Sequence, residues 1–166
     1  NNGNDLLEDS SGDDTLTGDA GSDTLDGGSG DDVIFGDQYT TEASKVPVQY
    51  QGDDQIDGGV GDDAIYGDGG NDTIYGGDGG DTLEGGIGDD IITGGAGSDT
   101  AVSWQPSKSF LIKAVANDPR ITVEDKVGAD GTDHLIDVEH LRFSDQTLPL
   151  SWITKTANLE ADAILS

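Results

Sequence analysis

Ten times in the first hundred residues, an aspartate follows a glycine by two positions and precedes an apolar residue by two. The aspartates are Asp5, Asp14, Asp23, Asp32, Asp54, Asp63, Asp72, Asp81, Asp90 and Asp99. Every step is nine residues except one of twenty-two. The apolar residues run Leu7, Leu16, Leu25, Ile34, Ile56, Ile65, Ile74, Leu83, Ile92 and Ala101. Aligned on the aspartate, the unit reads Gly-Gly-x-Gly-x-Asp-x-aliphatic-x, clearest at 27–35, 58–66, 76–84, 85–93 and 94–102. Fixed residue types at fixed offsets define a structural repeat, which constrains the fold more than any other feature of the chain.

Six of the nine positions favour turns, and glycine supplies the positive φ such a loop needs. The other three make a very short strand whose middle residue points inward. One unit cannot bury its single Leu or Ile, but stacked units can. Two consecutive units then make one coil, and the strands form two parallel sheets facing across an aliphatic ladder. Ten units predict five coils, a roll roughly 24 Å long. Units n and n+2 lie over one another, so one file of aspartates is Asp5, Asp23, Asp54, Asp72, Asp90 and the other Asp14, Asp32, Asp63, Asp81, Asp99. Carboxylates about 4.8 Å apart repel unless something positive lies between them.

Charge points the same way. The net charge is −28, and residues 1–102 hold 25 acids against Lys45 alone. Without a cation such a Gly-rich, acidic segment should be disordered. Nucleic acid and anionic membrane are poor partners for it, since phosphate neutralisation needs clustered bases. There is no Cys, and no transmembrane run or signal peptide is visible. The chain opens in mid-repeat and lacks Met, which predicts a piece of a longer protein. The available ligands are oxygens, which suit a hard cation, calcium over magnesium. Zinc prefers N or S, and the only histidines are His134 and His140. An EF-hand would need flanking helices and a terminal Glu, and a phosphate loop a Lys; the nonapeptides have neither.

The insertion, spanning 38–51, falls in the turn of the fifth unit, where a chain can loop out without breaking the ladder. After Val102 the composition changes. Phe110–Val115, Ile121–Glu124, Val138–Phe143 and Thr147–Ile153 are strand candidates, with a turn at Asn117-Asp118-Pro119. Gly131-Thr-Asp133-His-Leu135 matches the repeat spacing as a degenerate eleventh turn. A solenoid needs its last rung covered, so residues 103–150 are expected to form a β-rich cap holding Trp104, Phe110, Ile112, Leu141 and Phe143. Residues 151–166 form a tail.

The nonapeptide array resembles the RTX family, whose repeats form a calcium-bound parallel β-roll. The resemblance implies that each ion lies between turns n and n+2. One turn gives its second and fourth carbonyls and its Asp, and the other its first and third carbonyls and its Asp. In one file this pairs Ser10 and Gly12 with Gly27 and Ser29, and Gly28 and Gly30 with Gly58 and Val60. It also pairs Gly59 and Gly61 with Gly76 and Asp78, and Gly77 and Gly79 with Gly94 and Ala96. In the other file Gly18 and Ala20 face the truncated first turn. Asp19 and Gly21 pair with Gly36 and Gln51, Gly52 with Gly67 and Gly69, and Asp68 and Gly70 with Gly85 and Ile87. Each mid-roll aspartate then serves two ions, for about six to eight ions in all. The first unit is truncated, Asp9 and Ser10 replace glycines, and the insertion splits the fifth turn, so sites there depart from the pattern.

The resemblance further implies a module that folds on calcium outside a Gram-negative cell or at its surface, and that supports type I secretion of a larger parent. Asp130-Gly-Thr-Asp133 and Val138–Phe143 resemble the region after such repeats, and Asp162–Leu165 resembles the uncleaved secretion signal. No nucleophile–base set stands out, so the module itself is expected to be non-catalytic. The alternative is a calcium-dependent carbohydrate- or surface-binding module, suggested by outward Phe35 and Tyr66 with Tyr39 and Tyr50 in the insertion. A cross-strand aromatic pair is the simpler account of the first two.

Overall fold

The computed structural model describes residues 3–37, 51–114, 119–126, 130–151 and 159–160. The insertion residues 38–50, Asn117-Asp118 and the tail from 161 lie outside the described residues. Each nonapeptide makes a strand: β1 (Leu6–Glu8), β2 (Thr15–Thr17), β3 (Thr24–Asp26), β4 (Val33–Phe35), β5 (Gln55–Val60), β6 (Ala64–Tyr66), β7 (Thr73–Gly79), β8 (Thr82–Glu84), β9 (Ile91–Gly97) and β10 (Thr100–Val102). The strands alternate between two sheets, β1-β3-β5-β7-β9 in one and β10-β8-β6-β4-β2 in the other, all parallel. This is an all-β parallel roll of five coils. β5, β7 and β9 run on into the following turn, where Gly59 pairs with Gly77 and Gly77 with Gly95.

Register puts the aliphatics directly over one another: Leu25 on Ile56, Ile56 on Ile74 and Ile74 on Ile92 in one sheet, Ile34 on Ile65 and Ile65 on Leu83 in the other. Leu16, Leu25, Ile34, Ile56, Ile65, Ile74, Leu83, Ile92 and Ala101 are all buried, and Leu7 at the open end packs partly against them. Full burial of one such side chain is worth about 1.5–3 kcal/mol.

Both sheets continue past Val102. β11 (Phe110–Ala114), β12 (Ile121–Asp125), β13 (Thr132–Ile136), β14 (His140–Arg142), β15 (Thr147–Pro149) and β16 (Leu159–Glu160) follow. β13 lies parallel on β9 with Leu135 over Ile92, and β14 parallel on β10 with Leu141 over Ala101. A sixth coil, made by residues of the cap, is thus added to the five. Antiparallel strands then close it: β12, β11 and β16 beyond β13, and β15 beyond β14. Phe110 and Phe143 pack with ring centroids 5.2 Å apart at 34°. Within the cap, Trp104 is 66% exposed. Its indole N–H donates to Glu84 Oε2 at 2.7 Å, so the polar end of the ring is satisfied by a half-buried acid.

Candidate metal centre

Stacking fixes what each aspartate does. Its Oδ1 accepts the backbone N–H of the aspartate one coil earlier: Asp54 from Asp23 at 2.7 Å, Asp63 from Asp32 at 2.8 Å, Asp72 from Asp54 at 2.8 Å, Asp81 from Asp63 at 2.9 Å and Asp99 from Asp81 at 3.0 Å. Asp23, Asp32 and Asp90 do the same for Asp5, Asp14 and Asp72. The second oxygen has no such partner. Oδ2 of Asp14, Asp23, Asp32, Asp54, Asp63, Asp72, Asp81, Asp90 and Asp99 is buried without a hydrogen bond. Leaving a buried acceptor unsatisfied is costly, far more so when it is ionised.

A probe for what fills these positions is the first glycine of each turn. A Cβ on Gly58 would lie 2.5 Å from Asp63 Oδ2 and 2.5 Å from the Gly76 carbonyl oxygen. On Gly76 it would meet Asp81 Oδ2 at 2.4 Å and the Gly94 carbonyl at 2.6 Å. The same pairing recurs at Gly18 (Asp23, Gly36), Gly27 (Asp32, Gly58), Gly36 (Asp54, Gly67) and Gly67 (Asp72, Gly85). A carboxylate oxygen from turn n and a first carbonyl from turn n+2 therefore converge on one small space, repeated along both files.

The remaining carbonyls of the scheme keep free capacity. Third-position carbonyls of Ala20, Ser29, Val60, Asp78 and Ile87 each accept one N–H, from Gly3, Gly12, Gly30, Gly61 and Gly70. Second-position carbonyls of Gly28 and Asp68 each accept one, from Val60 and Ile87. A carbonyl has two lone pairs, so each can also face a cation. Mid-roll fourth glycines cannot be replaced for a steric reason: a Cβ on Gly61 would fall 1.8 Å from the Gly30 oxygen and one on Gly79 1.7 Å from that of Gly61, at φ of 147° and 156°. Asp19 and Asp68 hold the second place with φ of 77° and 70°, a conformation aspartate tolerates better than most residues.

Burial raises several of these carboxyls. It lifts Asp72 to about 9, opposed by the N–H of Asp54 and reinforced by Asp90. Asp54 rises to about 7, and Asp81 and Asp90 to about 6, for the same leading reason. A divalent cation in each cradle would reverse that penalty, and an all-oxygen set of carboxylates and carbonyls suits calcium. The residues present fit the ion.

Two features lay outside the sequence reading. Asp37, fully buried at the second place of the fifth turn, accepts Gly52 N–H at 3.3 Å through Oδ2, and burial raises it to about 8. The residue before each aspartate forms an outer, exposed ladder running the other way: Asp62 N–H donates to Asp31 at 2.9 Å, Asn71 N–H to Asp53 at 2.7 Å and Asp89 N–H to Asn71 at 2.9 Å. The polar bias at that position was its only signal.

The RTX calcium-binding nonapeptide repeat (four copies) matches residues 1–37, 50–74 and 75–102. The chain belongs to this family. As an RTX repeat chain it is a calcium-binding module. A comparison with curated proteins found no match. Among the described residues, no helix is long and apolar enough to cross a membrane. Phe35 and Tyr66 stack on each other, centroids 5.1 Å apart at 12°, as a cross-strand pair.

Proposed function

We propose that this module is a calcium-dependent folding device of a secreted protein, disordered where calcium is scarce and assembled where it is abundant. The observation that carries the reading is the row of buried, unpartnered Oδ2 atoms, most of which, as at Asp63 and Asp81, meet a carbonyl in the same cradle. A roll built on such atoms is poorly stable when the carboxylates are ionised and bare, and metal binding free energy becomes folding free energy. About six to eight ions would fill it, in weak sites matched to extracellular calcium. Folding after export would suit type I secretion of a larger parent from a Gram-negative cell, with Asp162–Leu165 as the signal.

The module is non-catalytic in this reading. The inner carboxylates are held by backbone N–H groups, and His134 and His140 sit on different sheets. Circular dichroism titrated with calcium and with magnesium tests the proposal. At slightly alkaline pH, disorder in excess chelator and a β-sheet spectrum at millimolar calcium are expected, and a β-sheet spectrum in chelator there would overturn it.

A second reading is supported by a cavity of about 420 Å³ lined by Phe35, Tyr66, Trp104, Glu84 and Gln105 among others. Aromatic faces beside hydrogen-bonding groups suit a sugar. Calcium-dependent retention on immobilised polysaccharide, lost in Trp104→Ala, would favour a carbohydrate-binding role.

A further inference from the structure

We propose that the cap completes one more calcium site, in which Asp137 and Glu139 stand in for the first carbonyl and the aspartate of a nonapeptide. The inference rests on the calcium reading of the roll.

Register places Glu139. Leu141 lies over Ala101, so Glu139, two residues earlier, falls where a ladder aspartate would. It behaves as one: Asp99 N–H donates to Glu139 Oε2 at 2.9 Å, the counterpart of the bond from Asp81 to Asp99. Asp99 itself is fully buried, and its Oδ2 has no partner. That oxygen points into a built cradle. A Cβ on Gly94 would lie 2.5 Å from Asp99 Oδ2 and 2.1 Å from the Asp137 carbonyl oxygen. The same two atom types, carboxylate and carbonyl, define the cradles at Gly58 and Gly76.

The cap reaches this point by a shorter route than a repeat does. A nonapeptide places its first carbonyl five residues before its aspartate, whereas Asp137 precedes Glu139 by two. A left-handed φ of 48° at Asp137 makes this possible by turning the chain sharply before β14. The extra methylene of glutamate lets the carboxylate reach back to Asp99. Gly95 and Gly97, with φ of 112° and 147°, hold the second and fourth places of the tenth turn and offer its carbonyls. An ion there would bridge roll and cap, making cap docking calcium-dependent although the cap carries no intact repeat.

The test uses the full chain. Crystals grown in calcium should give an anomalous peak about 2.3–2.6 Å from Asp99 Oδ2, the Asp137 oxygen and the Glu139 carboxylate. Peaks between Asp63 and Asp81 but none beside Glu139 would overturn this inference and leave the roll's reading intact. Peaks in neither place would overturn both. In solution, Glu139→Gln keeps an acceptor for Asp99 N–H but loses the charge. It should bind about one calcium fewer per chain, and the Leu141 amide should exchange faster at saturating calcium. Glu124→Gln, which removes a cap acid paired with Lys113 away from the ladder, should bind the wild-type number. A wild-type count in Glu139→Gln would sink the proposal, and if that variant fails to fold the anomalous map decides.

Discussion

Asp81 donates its backbone N–H to Asp99 Oδ1 at 3.0 Å while its own Oδ1 accepts the N–H of Asp63 at 2.9 Å, so one residue ties three coils of a file together. Its Oδ2 shares a cradle with the Gly94 carbonyl, and its turn closes the cradle around Asp63. Asp81→Ala removes a carboxylate from two sites and strands a buried N–H, at about 1–3 kcal/mol for the N–H alone. The calcium midpoint of folding, followed by circular dichroism, should rise about tenfold or more. Asp5→Ala, at the open end, should move it little. Equal midpoints would argue against a shared ladder.

Two glycines separate cradle filling from backbone effects. Gly58 and Gly80 both have φ outside the left-handed region. A methyl on Gly58 would occupy the space between Asp63 Oδ2 and the Gly76 oxygen, whereas one on Gly80 would make only ordinary contacts, the nearest at 3.5 Å. Gly58→Ala should lose about one ion and weaken the calcium-bound fold by about 1–3 kcal/mol. Gly80→Ala should be neutral or stabilise by up to about 1 kcal/mol through the unfolded chain. Isothermal titration and thermal melts in calcium check both.

The pH response has a defined sign. With calcium removed, Asp72 at about 9 and Asp54 at about 7 hold protons that the unfolded chain, near 3.8, gives up. Their protonation favours the bare roll fully below about 4, and this contribution is lost as pH rises through 7 to 9. Chelated protein should therefore gain β structure on acidification. Calcium needs the ionised groups, so protons compete with it and its midpoint should rise as pH falls from 8 to 5. A calcium midpoint unchanged between pH 8 and 5 would contradict the buried ladder.

The repeat made the roll readable because each inward Leu or Ile and each aspartate obeys one period. Leu135 and Asp133 keep that spacing, and the eleventh turn was visible in the sequence; Asp90 N–H donates to Asp133 at 3.2 Å. The twelfth was not, because Glu139 replaces aspartate and the left-handed Asp137 abolishes the nine-residue spacing while preserving where the oxygens fall. The exposure of Trp104 was not legible either, because it follows from the bond of its N–H to Glu84. Spacing reports side-chain direction well; it does not report a carbonyl that arrives by another path.

The cap's contribution to folding is the last expectation. β13 and β14 cover the parallel edges of β9 and β10, and antiparallel strands then cover theirs. Phe110, Ile112, Leu135, Leu141 and Phe143 join the same core as the aliphatic ladder. Deleting residues 103–166 would bare Ile92 and Ala101 at an open parallel edge and remove the bulky end of that core. A narrow ladder with one aliphatic per strand has little to nucleate on, and an open edge invites pairing with other chains. Residues 1–102 alone should stay largely disordered, or aggregate, at calcium concentrations that fold the full chain, as read by circular dichroism and light scattering. Folding of the truncated chain with an unchanged calcium midpoint would show that the roll closes without a template and that the cap only follows it.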